Sequence, residues 1–121
     1  MILDIKKHAI DKARERISVL GHFSKEYVEG WLRKNVPSSK KIMLGSELYD
    51  RLEKIYNPRE YRPLAYSNND LGIYIVELSG KDRGILLSVQ DLNFRKRMKV
   101  SLAERRENFS KLMGLRESLS V

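Results

Sequence analysis

Apolar residues recur at intervals of three and four positions in three stretches of the chain, and this is the spacing of an amphipathic helix. The first stretch covers residues 6–20 and ends at Gly21, a residue type that commonly follows a helix. The second follows Ser24 and the third follows Ser46, where a serine can accept a hydrogen bond from the first turn. Pro58 closes the third stretch, because the residue before a proline avoids helical geometry. The pattern predicts three helices.

The remaining apolar stretches are short and rich in β-branched, aromatic and aliphatic residues, as strands are. "KKIML", residues 40–44, is a short strand candidate. "YRPLAYS", "GIYIVELS" and "RGILLSVQDL" follow the third helix and are separated by the turn sequences "NND" and "GKDRG". Three strands joined by such short connections predict an antiparallel meander.

A fourth helix is predicted near the end of the chain, in "SLAERRENFSKLMGL". Ser101 and Glu104 have capping-box spacing, so their side chains can satisfy the free N–H groups of a first turn. Its apolar side consists of Phe109, Leu112 and Met113. We therefore predict an α+β fold in which N-terminal helices pack on a small antiparallel sheet. Residues 1–94 would form that domain, and the basic segment and helix of residues 95–121 would belong to the same compact unit.

Length and composition limit the class of protein. A chain of 121 residues with 41% hydrophobic and 33% charged residues is expected to form one globular domain. It contains no cysteine, which excludes disulfides and thiolate metal sites and favours a reducing cytoplasm. The first residues, "MILDIKKHAI", lack the apolar run of a signal peptide, and no stretch is apolar for long enough to span a bilayer. We expect a cytoplasmic protein without a membrane partner.

The net charge of +8 is unevenly distributed. Residues 95–121 hold eight Lys and Arg against three Glu, so most of the excess lies in the last quarter of the chain. Such a basic surface favours nucleic acid as a partner, ahead of acidic proteins and anionic membranes. The candidate phosphate-binding residues there are Arg95, Lys96, Arg97, Lys99, Arg105 and Arg106.

The first predicted helix carries one of the two histidines in the chain. His8, Lys12 and Arg16 are four residues apart, so they share one face, away from the apolar stripe. Histidine can transfer protons near neutral pH, and the two cations could hold a phosphate beside it. The alternative is an ordinary solvated face, on which Asp11 and Glu15 pair with neighbouring bases. Spacing alone leaves both interpretations open.

Other conspicuous residues have simpler interpretations. Trp31 is expected in the core, packed with Tyr27 and Leu32, rather than as a platform for stacking bases.

The sequence has none of the usual zinc-ligand spacings and no Gly-rich phosphate loop. We therefore predict no metal and no cofactor.

The same first helix carries a family resemblance. "HAIDKARERIS" resembles the opening helix of small phage and toxin proteins of the RelE type, in the barnase–EndoU–colicin–RelE ribonuclease superfamily. There the helix typically begins His-Ala, followed by a basic residue and then Glu-Arg. "ILLSVQDL" is similar to a late strand of those proteins and places Ser88 where they carry Ser or Thr. The resemblance covers roughly residues 1–94; Gln90 and Asp91 depart from it, as does the basic C-terminal helix.

The resemblance implies metal-independent RNA cleavage, in which a 2′-hydroxyl attacks the adjacent phosphate. His8 would be the acid or base, Lys12 and Arg16 would hold the phosphate, and Ser88 would donate to a phosphoryl oxygen. Arg62 is a further candidate cation. RNA would be the partner, with an antitoxin or host protein as a possible second one. Two other functions stay open: a non-catalytic nucleic-acid-binding regulator on the same scaffold, and a phage-type accessory protein that modulates a host protein.

Overall fold

A computed structural model of the protein describes residues 1–94. The helices are α1 (Lys7–Arg16), α2 (Lys25–Asn35) and α3 (Glu47–Tyr56), with a 3₁₀ helix at Ser18–His22. The strands are β1 (Ile2–Ile5), β2 (Lys40–Lys41), β3 (Leu64–Asn68), β4 (Ile73–Gly80) and β5 (Arg83–Gln90). The protein therefore has an α+β fold. The predicted C-terminal helix and the six candidate cations that follow Phe94 lie outside the described residues.

The sheet has five strands in the order β1-β5-β4-β3-β2. The antiparallel meander of β3, β4 and β5 is confirmed, and β2 extends it by a short antiparallel pair with β3. β1 pairs with β5 in the parallel direction, with Leu3 opposite Gly84. The sheet is thus mixed, because β1 adds a parallel pair that the prediction of a small antiparallel sheet did not include. The sequence pattern missed β1 because this strand has only four residues and its partner lies far away along the chain.

Each face of the sheet is covered by helices. On one face, α1 and α2 pack against β1, β4 and β5; the buried residues are Leu3, Ala9, Ile10, Ala13, Ile17, Leu20, Val28, Leu32, Val36, Tyr74, Val76, Leu86 and Val89. On the other face, α3 packs against β3 and β4; the buried residues are Leu52, Tyr66, Ile73, Ile75 and Phe94. The result is three layers, with α1 and α2 on one side and α3 on the other. The first two helices are on the side that carries His8.

The helix boundaries follow from local chemistry. The predicted caps are confirmed, because Ser24 Oγ accepts a hydrogen bond from Tyr27 N and Ser46 Oγ accepts one from Tyr49 N, both at 3.2 Å. α1 ends at Arg16, earlier than predicted, since Ile17 has extended backbone angles. The chain then tightens into the 3₁₀ helix. None of the helices among residues 1–94 is long and apolar enough to cross a membrane.

Candidate functional site

Packing on the sheet determines which side of α1 faces solvent. Ala9, Ile10 and Ala13 are buried against β5, where Leu86 and Val89 belong to the same core. His8 is exposed, and Lys12 and Arg16, one and two turns further along α1, are partly exposed at the margin of the buried side. We call these three residues the α1 basic face. Its exposure agrees with the predicted stacking of a histidine and two cations.

Arg16 both anchors the helix and contributes to this face. Its Nη1 donates a hydrogen bond of 2.7 Å to the carbonyl oxygen of Val89, which ties the end of α1 to β5. A guanidinium has five N–H groups, so this bond leaves others that can donate to a phosphate. The anchored position also reduces the side-chain entropy that phosphate binding would cost.

The acidic residues of α1 are paired, as the interpretation of a solvated face predicts. Lys12 Nζ lies 3.2 Å from Glu15, and Lys25 Nζ of α2 lies 3.7 Å from Asp11. Exposed pairs of this kind are weak, on the order of 0.2–1 kcal/mol, so a phosphate can compete for Lys12. The imidazole of His8 has no hydrogen bond or ion pair with any other residue of the described part of the chain.

Ser88 is not brought together with the α1 basic face. It pairs with Ile75, and residues directly opposite on antiparallel strands project from the same face of the sheet. Ile75 belongs to the core beneath α3, so Ser88 faces α3 rather than α1. Ser88 is also only 5% exposed. Its hydroxyl therefore cannot reach a phosphate bound beside His8 in this fold.

A β-bulge explains this position. Ile75 pairs with Ser88, but the next residue, Val76, pairs with Leu86, so Leu87 is an extra residue in β5. Without the bulge, strict alternation would place Ser88 on the same side as Leu86, facing α1. With the bulge, Val89 takes that side instead, and its carbonyl accepts from Arg16.

Arg62, the further candidate cation, is also remote from α1. It precedes β3, and its guanidinium pairs with the Glu77 carboxylate of β4 through Nε–Oε1 at 3.3 Å and Nη2–Oε2 at 3.1 Å. The hydrogen bond to Arg62 holds the pKa of Glu77 below its ordinary value, and the same bond raises the pKa of Arg62. The arrangement indicates that Arg62 has a structural role at the end of the sheet.

This pair should make the folding stability depend on pH. Because the pKa of Glu77 is lower in the folded than in the unfolded chain, its contribution is complete above the unfolded pKa and is lost as the pH falls through the folded value. Both side chains are about a third exposed, so we expect Glu77→Gln to lower the free energy of unfolding at neutral pH by only about 0.5–1 kcal/mol. Urea unfolding should show the difference shrinking as the pH falls through and below the ordinary range of a glutamate.

The control is Asp70→Asn, an exposed carboxylate in the turn between β3 and β4. The Asp70→Asn variant should lose as much stability in acid as the wild type does. A constant difference between Glu77→Gln and the wild type at every pH would contradict the pairing.

Charge is distributed unequally between the two sides of the molecule. Residues 1–41, which include α1 and α2, carry ten Lys and Arg against five Asp and Glu. Residues 42–94 carry six against eight. A cleft of about 450 Å³ beside α3 is lined by three carboxylates, from Asp50, Glu53 and Glu60, and one lysine. An anion is therefore attracted to the side with α1 and repelled from the side with α3.

One aromatic residue of α2 lies at the surface, although the sequence pattern predicted it in the core. Trp31 is half-buried and packs against the core, as predicted. Tyr27 is 51% exposed and stacks on Phe23, which is 40% exposed. Tyr27 precedes Val28, whose side chain is buried, and one residue of a helix turns the side chain by about 100°, out of the apolar stripe. This angular offset between Tyr27 and Val28 could have indicated from the sequence that Tyr27 is exposed.

Within residues 1–94, no group of three or more His, Asp or Glu side chains is arranged to hold a metal ion. No family model, curated protein or solved structure matches this chain. The site must therefore be interpreted from its own residues.

Proposed function

We propose that this protein is an RNA-binding protein that holds phosphates on the α1 basic face. The observation that carries the proposal is the row formed by the exposed His8 and the partly exposed Lys12 and Arg16, one turn apart along a helix anchored to the sheet. Two cations four residues apart, with a histidine one turn before them, can contact successive phosphates of a strand. Residues 1–41 carry a net positive charge, which favours phosphate binding on this same side of the molecule.

The basic segment after Phe94 adds to the proposal. Its eight Lys and Arg against three Glu would increase the non-specific attraction for any nucleic acid. The resemblance to RelE-type proteins points to RNA as the nucleic acid, with the basic segment as an addition to that scaffold. A sequence without cysteine favours the reducing cytoplasm as the compartment.

A second candidate function is metal-independent RNA cleavage, and the exposure of His8 beside Lys12 favours it. The imidazole would take the proton of the 2′-hydroxyl or give one to the leaving oxygen, while Lys12 and Arg16 would offset the added negative charge. The other proton transfer would fall to water, since Ser88 faces the opposite side of the sheet. Binding requires fewer groups than cleavage, so we place binding first.

One experiment distinguishes these functions. Pure protein is incubated with total RNA and with single- and double-stranded DNA in EDTA, and both mobility shifts and cleavage are recorded. We expect a shift of RNA. Cleavage that persists in EDTA and disappears in His8→Ala, with an unchanged melting temperature, would establish the second function; the loss is expected to be on the order of 10²–10⁴-fold.

Other outcomes would contradict these functions. Cleavage that requires a metal, or that survives in His8→Ala, would rule out the ribonuclease mechanism described here. A protein that neither shifts nor cleaves nucleic acid, but captures a defined protein, would overturn RNA binding in favour of a regulator of another protein.

A further inference from the structure

An aromatic pair at the start of α2 faces solvent at the edge of the basic side. The rings of Phe23 and Tyr27 are stacked, with centroids 4.4 Å apart and planes inclined by 26°. Exposed stacked rings leave one aromatic surface uncovered, and a planar ligand can bury it. This pair lies where Lys25 joins α2 to α1 through Asp11.

A cleft continues from Tyr27 along the outer side of α2. It has a volume of about 520 Å³ and is lined by Glu26, Tyr27, Gly30, Trp31, Lys34 and Asn35. The spacing of these residues is that of one helix face, so the cleft is a local feature of α2. It combines aromatic surface with one cation at its C-terminal end and one carboxylate at its N-terminal end.

The floor of the cleft is a glycine in the middle of the helix. Glycine is unfavourable there because it loses more backbone entropy on folding than alanine does. A Cβ at Gly30 would meet no atom within 4 Å, so packing does not require the glycine. By contrast, a Cβ at Gly84 would lie 2.6 Å from a side-chain atom of Val76. A side chain at position 30 would instead occupy the cleft.

We propose that this cleft binds an unpaired nucleobase of single-stranded RNA. The proposal rests on the proposed RNA-binding function and adds a second, separate contact to it. The base stacks on Tyr27 above Gly30, the ammonium group of Lys34 contacts the adjoining phosphate, and the Glu26 carboxylate accepts a hydrogen bond from an amino group of the base. A strand bound on the α1 basic face continues to the start of α2, because the Lys25–Asp11 ion pair joins the two helices.

Charge and shape favour single-stranded RNA over a duplex as the ligand of this cleft. The side of the molecule that carries α1 and α2 has the positive excess, which suits a polyanion. A duplex keeps its bases stacked on each other, so it cannot offer a base face to Tyr27. A single strand offers phosphates to the positively charged side and an unpaired base to the ring of Tyr27.

The experiment compares single-stranded RNA with a duplex RNA of equal length, using the only tryptophan of the chain as a reporter. Trp31 lines the cleft, so a stacked base should quench its fluorescence in the wild type. Gly30→Leu fills the cleft and should weaken single-strand binding roughly 5- to 150-fold, the range for one base–aromatic stack, and abolish the quenching. Its affinity for the duplex should stay unchanged.

Two further variants guard against effects on folding. Gly30→Ala adds only a Cβ and improves helix propensity, so it should raise the melting temperature and keep most of the affinity. Tyr27→Leu retains apolar bulk but removes the aromatic face, so it should lose single-strand affinity as Gly30→Leu does.

The outcomes separate this inference from the proposed function. If the wild type binds neither RNA, both fall. If it binds RNA, but Gly30→Leu and Tyr27→Leu bind single strands as well as the wild type does, RNA binding stands and the cleft proposal is overturned. Equal losses for single strand and duplex would also overturn base stacking.

Discussion

Leu86→Ala should lower the free energy of unfolding by about 2–5 kcal/mol, the range for leucine truncation in a packed core. Leu86 lies on β5, between β1 and β4, and its side chain is completely buried under α1. The truncation leaves a cavity where the helix and three strands meet, and neighbouring side chains can fill it only in part. Because β5 supports α1, the loss should also make the α1 basic face less well fixed.

Leu78→Ala is the matched control, since Leu78 is 41% exposed near the end of β4. It removes the same atoms but little buried area, so its effect should stay below about 0.5 kcal/mol. Urea unfolding at neutral pH measures both. Equal losses for the two variants would mean that β5 does not lie at the centre of the core.

The helices were predictable from the sequence because each one carries its own local signals. Ser24 and Ser46 are caps in the structure as in the prediction. The end of α1 was not predictable, because the apolar spacing continues through Ile17 and Leu20 although the backbone there becomes extended and then forms a 3₁₀ helix. Both residues are still buried, so burial alone did not distinguish the two geometries.

The sheet was predicted where neighbouring strands are close in sequence and missed where they are distant. The meander of β3 to β5 has short turns, which local pattern reveals. β1 becomes a strand by pairing with β5, and only the folded chain brings Leu3 beside Gly84. Pairing between distant segments leaves no periodic signal in a stretch of four residues.

The α1 basic face was predictable because helical periodicity fixes which residues share a side. The position of Ser88 was not, because one extra residue in β5 reverses the alternation after Leu86. Arg62 was correctly predicted near the start of a strand. Its partner Glu77 could not be predicted, because the pairing of β3 with β4 brings the two side chains together. Sequence thus identified the cations of one helix and could not assemble groups from different strands.

The RNA-binding proposal predicts a large effect from removing two cations of the α1 basic face. Each phosphate contact contributes a slope of about 0.7 in log K against log salt for a single strand, or roughly fivefold in affinity at about 0.1 M salt. Lys12→Gln combined with Arg16→Gln should therefore weaken single-stranded RNA binding roughly 25-fold and reduce the slope by about 1.4. The loss of the Arg16 bond to Val89 should cost about 1 kcal/mol of stability, so the variant stays folded.

The matched control combines Lys54→Gln with Arg59→Gln. Lys54 lies on α3 and Arg59 follows it; both are exposed, and the pair removes the same net charge from the side opposite to α1. If binding depended only on overall charge, this control would weaken binding as much as the α1 variant. If the α1 basic face holds the phosphates, the control should keep nearly the wild-type affinity.

The measurement is the salt dependence of single-stranded RNA affinity for the wild type and these two double variants, with melting curves showing that each is folded. Binding through the α1 basic face predicts a lower affinity and a slope reduced by about 1.4 for the Lys12 and Arg16 variant alone. Equal affinities and equal slopes for all three proteins would contradict phosphate binding on α1.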